Sequence, residues 1–159
     1  MKRGVAPLAL GFVMMVAVVA ALSTPAAARP AGADSILGRW LVEKKNAIVD
    51  IFKVGDKFDG KIVWLSEPKY PDTHKPKVDK NNPDAKLRTR PIIGMHMLTN
   101  FEYHGDNVWE AGQIYDPESG KTYKCKITWD PDKADQLNVR GFIGVSLFGR
   151  TETWTRSKK

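Results

Sequence analysis

From Leu37 onward the chain is cut by turn residues into short alternating segments at roughly eight- to twelve-residue intervals, and none keeps a helical apolar period. That spacing excludes a helical bundle and points to an all-β domain. Residues 37–43 read as a first strand anchored by Trp40. Residues 47–54 alternate loosely around Val49, Ile51 and Phe52 before the turn at Gly55, and residues 58–65 put Phe58, Ile62 and Trp64 on one face. The connections are short enough for hairpins, so an antiparallel meander is expected. The pattern resumes over 95–103, 108–115 and 121–129, then over 136–143 and 149–156. Between them lie turns at 104–107, at Asp116-Pro-Glu-Ser-Gly120 and at 131–135, while Gly141, Gly144 and Gly149 mark bends or bulges. Eight antiparallel strands in this order close into an up-and-down barrel just wide enough for side chains or one small ligand. A two-sheet sandwich is the other solution.

One stretch breaks the pattern. Between the third and fourth strands, Pro68, Pro71, Pro76, Pro83 and Pro91 exclude both a long helix and a central strand. A single helical turn is expected near Asn82, with Asn82 as its cap and Pro83 at its first position, ending before Pro91. Such a long irregular loop is a natural place for a site, and beside the hairpins it reads as a lid or plug across one end of the barrel.

The chain begins Met-Lys-Arg, runs apolar from Val5 to Leu22 and passes into Ser23-Thr-Pro-Ala-Ala-Ala28, the order of a secretory signal peptide with cleavage expected near Ala28. A retained membrane anchor is the alternative, since the apolar run approaches the minimum span. A lipid-anchored route is closed, because the single cysteine is Cys125. Residues 29–35 then form a linker and residues 36–159 one domain. Cleavage leaves 131 residues with a formal charge of +5, enough for one core and no stable membrane span. A lone cysteine forms no internal disulfide, and Cys125 alternates with Tyr123, Ile127 and Trp129 as an inward, inert thiol. The setting is therefore periplasmic or secreted. Nucleic acid is not an expected partner there, so the basic balance serves solubility or meets the anions outside the inner membrane: phospholipid heads, lipopolysaccharide, phosphorylated metabolites or acidic polymers.

Familiar chemical motifs fail on inspection. Gly120-Lys-Thr122 lacks the first glycine of a phosphate loop and precedes a strand. Gly144-Val-Ser146 lacks the closing glycine of a nucleophile elbow. Asp79, Asn81 and Asp84 suggest a calcium loop, but Pro83 and Arg90 break it, and His74, His96 and His104 share no metal spacing. No catalytic group, cofactor or metal is expected. What remains is a set of arginines and aromatics. Arg88 and Arg90 in the loop and Arg140, Arg150 and Arg156 in the last strands would grip a carboxylate or phosphate, or would pair internally with Asp84, Glu110, Asp116 or Glu152. Trp40, Trp64, Trp109, Trp129 and Trp154 fall on five separate strands, as in a packed core or an aromatic ligand cavity.

Three ordered blocks carry a resemblance: Asn82-Pro-Asp with Leu87-Arg-Thr-Arg-Pro-Ile-Ile-Gly94, then residues 112–123 around Tyr115-Asp-Pro-Glu-Ser-Gly120, then residues 139–156. The chain from Gly38 to Arg156 resembles the exported bacterial family called domain of unknown function 2147, in which a second glycine often stands where this chain has Ala111. The resemblance implies a lipocalin-like, eight-stranded barrel whose cavity takes a small amphipathic or lipid-like ligand. Gly38-Arg-Trp40 is similar to the Gly-x-Trp of lipocalins, in which the tryptophan packs beneath a late-strand arginine, here Arg156 or Arg150. The expected activity is therefore non-enzymatic binding of a small molecule with an apolar part and an anionic head. Arg88, Arg90, Trp109, Tyr115, Asp116, Tyr123, Arg140 and Arg150 are its candidate ligand residues. Two other readings stand beside it: a packed interaction module of the cell envelope, and an enzyme built on Tyr115 and Asp116 with an arginine.

Overall fold

The computed structural model describes residues 32–158, so the expected signal peptide lies outside the described residues. Eight strands form one closed barrel in sequence order: β1 Gly38–Leu41, β2 Ala47–Val54, β3 Lys57–Leu65, β4 His96–Tyr103, β5 Val108–Asp116, β6 Lys121–Trp129, β7 Gln136–Phe142 and β8 Gly149–Arg156. Every neighbouring pair is antiparallel, and β8 returns to β1. The up-and-down barrel is thus as the turn spacing implies, and the sandwich is excluded. Lys124 points outward while Cys125, Ile127 and Trp129 are buried, which reproduces the alternation in β6.

Up-and-down order fixes what lies at each end. The connections 55–56, 104–107 and 130–135, with both termini of the barrel, gather at one end. At the other end lie 42–46, 66–95, 117–120 and 143–148. The first end is closed and packed. Trp40, Trp109, Trp129 and Trp154 are buried there with Phe58, Phe101 and Leu137. Trp64, near the opposite end of β3, is only half-buried: the register breaks where Ile48 pairs with Trp64 and Val49 with Ile62, so Trp64 does not keep the face that alternation gives it with Phe58 and Ile62.

Ala33–Ile36 form a 3-10 turn whose Ser35 and Ile36 are buried, and Trp40 Nε1 donates to Ile36 O at 2.8 Å. Arg156 then locks the end: Nη1 donates to Leu37 O at 2.6 Å, Nη2 to Ser35 O at 3.0 Å, and its guanidinium carbon sits 3.6 Å from the Trp40 ring centroid. This is the tryptophan–arginine pairing of the Gly-x-Trp reading, made by Arg156 rather than Arg150. Gly38 has φ 102°, and a Cβ there would stand 3.2 Å from Arg156 Nη1, so the position favours glycine on two counts.

The short helical turn begins later than expected. It spans Ala85–Leu87, and Asp84 caps it by accepting from Lys86 N at 2.9 Å. Asn82 is unavailable as cap because its amide nitrogen donates elsewhere and its Oδ1 accepts from Asp84 N at 2.9 Å, a local turn of its own.

In β5, Ala111 has φ 60° at a break in the register between Trp109 and Gly112. A left-handed angle is awkward for any residue with a Cβ. Ala111→Gly is expected to raise unfolding stability by up to about 1 kcal/mol. Urea titration of the two proteins, with equal slopes, checks it.

Candidate functional site

The open half of the barrel is hollow. A cavity of about 1110 Å³ extends from the level of Ile62, Ile114 and Val139 up to the mouth. That is close to the upper end of ordinary small-molecule pockets, roughly 300–1,000 Å³. Its wall is apolar at Val42, Ile62, Ile92, Met97, Ile114 and Val139. Charge collects nearer the mouth, where Lys44, Lys77, Lys80 and Arg150 alternate with Glu67, Asp116 and Glu118, while Glu152 sits lower, at the level of Val139. Several of these are paired: Lys44 with Glu118 at 2.8 Å, Lys77 with Glu67 at 3.2 Å, and Arg150 with Glu152 at 3.7 Å. Glu152 also accepts from Trp154 Nε1 at 3.2 Å, which ties the wall of the cavity to the packed layer below it.

Glycine makes part of this room. Gly141 on β7 faces the cavity, and a Cβ there would rest in ordinary contact with Ile114 and Tyr123, at 3.5 and 3.7 Å. Lower down, Gly112 has the opposite role, since a Cβ would overlap the Phe101 ring at 2.4 Å. The same small residue closes the floor in one place and widens the chamber in another.

Three of the eight candidate residues, Asp116, Tyr123 and Arg150, line the cavity. The other five are engaged elsewhere. Trp109 is fully buried in the closed end, where its ring meets Phe58 and Tyr103 and its Nε1 donates to Ala33 O at 3.2 Å. Arg140 lies on the outer face of β7. Its Nε donates to Ser146 O at 2.8 Å, its Nη2 to Leu147 O at 3.2 Å and its Nη1 to Thr151 Oγ1 at 2.9 Å. Arg88 is exposed and turns back on its own loop, with Nε donating to Asn82 O at 2.7 Å.

Arg90 and Tyr115 meet at a residue that sequence reasoning treated only as part of a failed calcium loop. Asp79 has no exposed surface. Its Oδ1 accepts from Tyr115 Oη at 2.6 Å, and its Oδ2 accepts from Asn82 Nδ2 at 2.7 Å and from Arg90 Nε at 2.9 Å. Arg90 Nη2 adds an ion pair at 2.8 Å, and the guanidinium lies 5.6 Å from the Tyr115 ring centroid. A buried carboxylate needs this many donors. The cluster pins the long loop to β5, and Asn81 extends the attachment by donating to Pro117 O and Glu118 O at 3.2 and 2.8 Å. Gly120 completes it: φ is 71°, and any Cβ would overlap the carbonyl of Asn81. The loop is therefore a fixed rim. From it Tyr70, Lys77, Val78, Lys80, Asn81 and Ile92 reach the mouth of the cavity.

Burial and the bond to Asp79 push the Tyr115 hydroxyl up to about 12 from its usual 10. Burial likewise raises the Cys125 thiol to about 12 from 9. A group that holds its proton more tightly when folded stabilises the fold fully below its unfolded value, and that contribution is lost as pH rises through the folded one. The protein is therefore expected to lose stability between about pH 9 and 12. Tyr115→Phe should flatten the part of that fall above about pH 10 while leaving the Cys125 part. Thermal melts across this range test the assignment; identical alkaline limbs in both proteins would refute it.

Asp116, the remaining half of the enzymatic pair, accepts from Glu118 N at 2.9 Å and from Ser119 Oγ at 2.6 Å. It holds its own hairpin, while Tyr115 faces the loop cluster. Among the described residues no group of His, Cys, Asp and Glu gathers to hold a metal ion.

A closed eight-stranded meander, packed under an arginine-capped tryptophan at one end and hollow at the other, is a lipocalin-like barrel. A solved structure described as "Protein HP1028 from the human pathogen Helicobacter pylori belongs to the lipocalin family" is similar with a TM-score of 0.67 and 25% identity, covering 78% of this chain and 84% of that one. Residues 38–156 match the sequence profile of the family described as "Uncharacterized protein conserved in bacteria (DUF2147)", and the chain belongs to that family. Among curated proteins no match is found.

Proposed function

We propose that this protein is a non-enzymatic carrier or sensor of a single small amphipathic molecule. The apolar part occupies the upper half of the barrel and the polar, preferentially anionic head lies at the mouth. The cavity carries the reading: about 1110 Å³ of space with an apolar wall below and a charged rim above. A packed interaction module would fill that space with side chains, as the closed half is filled, so the cavity counts against that alternative. At the rim, Arg150 is the ligand contact of choice, being exposed and only loosely paired with Glu152; Tyr123 and Asp116 line the same cavity. A basic side chain already in place lowers the cost of accepting a carboxylate or phosphate head.

Uptake of a fluorescent apolar probe, displaced by single-chain lipids of equal tail but different head, tests this directly. The fatty acid, fatty alcohol and lysophosphatidylcholine are each expected to displace it, the fatty acid best. Arg150→Ala should weaken the acid and spare the alcohol. A barrel that takes up no probe overturns the reading. The N-terminal segment with its Ala-x-Ala end supports an exported, periplasmic or secreted setting; sequencing the protein purified from its native cell envelope should give a terminus near Arg29.

A further inference from the structure

Ile143, Val145, Leu147 and Phe148 are 71%, 61%, 79% and 72% exposed, and together they form the tip of the β7–β8 connection. Soluble surfaces seldom gather four large apolar side chains in six residues without a partner. The tip is also built rather than loose. Arg140 holds the carbonyls of Ser146 and Leu147 from the outer wall, Phe148 N donates to Val145 O at 3.1 Å, and Gly144 takes φ 72° to make the turn. The backbone is thus satisfied from behind while the side chains face out.

The tip stands at the open end, where Ile143 and Phe148 also line the cavity mouth. The two ends of the barrel differ in charge. Among the described residues, the four connections of the open end carry nine Lys and Arg against six Asp and Glu, whereas the connections and termini of the closed end carry Asp34, Asp56, Asp106, Asp130, Asp132 and Asp135 against Lys133 and Lys158, with Lys53 and Lys57 on the strand ends beside them. The connections of the open end are therefore the more basic, on the same side as the apolar tip.

We propose that the β7–β8 tip inserts into the surface of an anionic phospholipid bilayer and docks the barrel mouth-down on it. An apolar wedge on a positive face is the combination that binds such interfaces, the charge drawing the protein in and orienting it while the side chains bury below the headgroups. A second copy of the chain is a poorer occupant. A stable dimer buries roughly 800 Å² on each partner, far more than a six-residue tip offers. A fluid bilayer, in contrast, demands no complementary shape. The docking site is independent of what fills the cavity and stands if the cavity proves empty.

Residues 32–158 close their own barrel and contain all eight paired strands, so that unit is tested free of the apolar N-terminal run. Vesicles of phosphatidylcholine, with and without phosphatidylglycerol, are floated with the protein. Co-flotation is expected, stronger with the anionic lipid and weakened by salt. V145D/L147D is expected to reduce it at least about tenfold. Neither residue lines the cavity, so melting temperature and probe uptake should be unchanged. V145S/L147S, with a smaller reduction, guards against an effect of the new charges. Three results overturn the proposal: no flotation of the unsubstituted protein, flotation undiminished in both variants, or a dimer that V145D/L147D converts to monomer while neither form floats.

Discussion

Asp79→Ala is expected to lower unfolding stability by about 3 kcal/mol and the melting temperature by on the order of 10 °C. The size follows from what is left behind. Arg90, Asn82 and the Tyr115 hydroxyl all donate to this one carboxylate, and its removal leaves a half-buried charge and two polar groups without the acceptor they share. Asp79→Asn should fall between, since it keeps the shape and one acceptor oxygen but not the charge. Urea denaturation measures both. A loss under about 0.5 kcal/mol for the alanine variant would mean that water reaches the cluster freely and that the loop is not held by it.

Gly141→Leu is expected to abolish ligand uptake, with affinity falling at least about 100-fold, or roughly 2.7 kcal/mol, while the fold is kept. The glycine faces the chamber, and the first atom of any side chain there meets only ordinary contacts with Ile114 and Tyr123. Leucine then occupies space where a ligand tail would lie. Melting temperature should hold or rise, since the replacement fills a void and removes a glycine from a strand. Titration with the apolar probe gives the answer; unchanged uptake would place the ligand outside the barrel.

The barrel was legible because alternation and turn chemistry are local properties. Asp116-Pro-Glu-Ser-Gly120 announces its hairpin, and Lys124, Lys126 and Thr128 announce the outer face of β6. Height along the barrel axis is not local. Alternation says that Trp109, Tyr123 and Arg150 point inward, but only the assembled register shows that the tryptophan lies in the packed floor and the other two in the chamber above. Arg150 meets Glu152, one of the acids in view, but the partners of the other arginines were hidden for a related reason. Asp84, Glu110, Asp116 and Glu152 were the acids in view, yet Asp84 caps a turn, Glu110 pairs with Lys126 at 2.7 Å and Asp116 holds its hairpin. Arg90 instead finds Asp79 in its own loop, and the reason Asp79 is buried is a tyrosine 36 residues away. A lone aspartate gives no sign of that in sequence.

The seam between β1 and β8 is held by two residue pairs, Trp40 with Arg156 and Leu41 with Thr155, and the Arg156 guanidinium reaches carbonyls 119 and 121 residues earlier. Most other strand pairings join segments linked by short turns, so they can form as soon as both strands exist. The seam cannot. It requires the last strand of the chain to find the first, and loop-closure entropy makes it the slowest contact to gain by chance. Until then the barrel is an open sheet with two unpaired edges, each able to recruit a strand from another chain. The cation over Trp40 and its two carbonyl bonds act on that interval. They add to the edge-to-edge encounter contacts that backbone pairing alone does not supply, so a motif that looks like an ornament of the closed end also fastens its shortest seam.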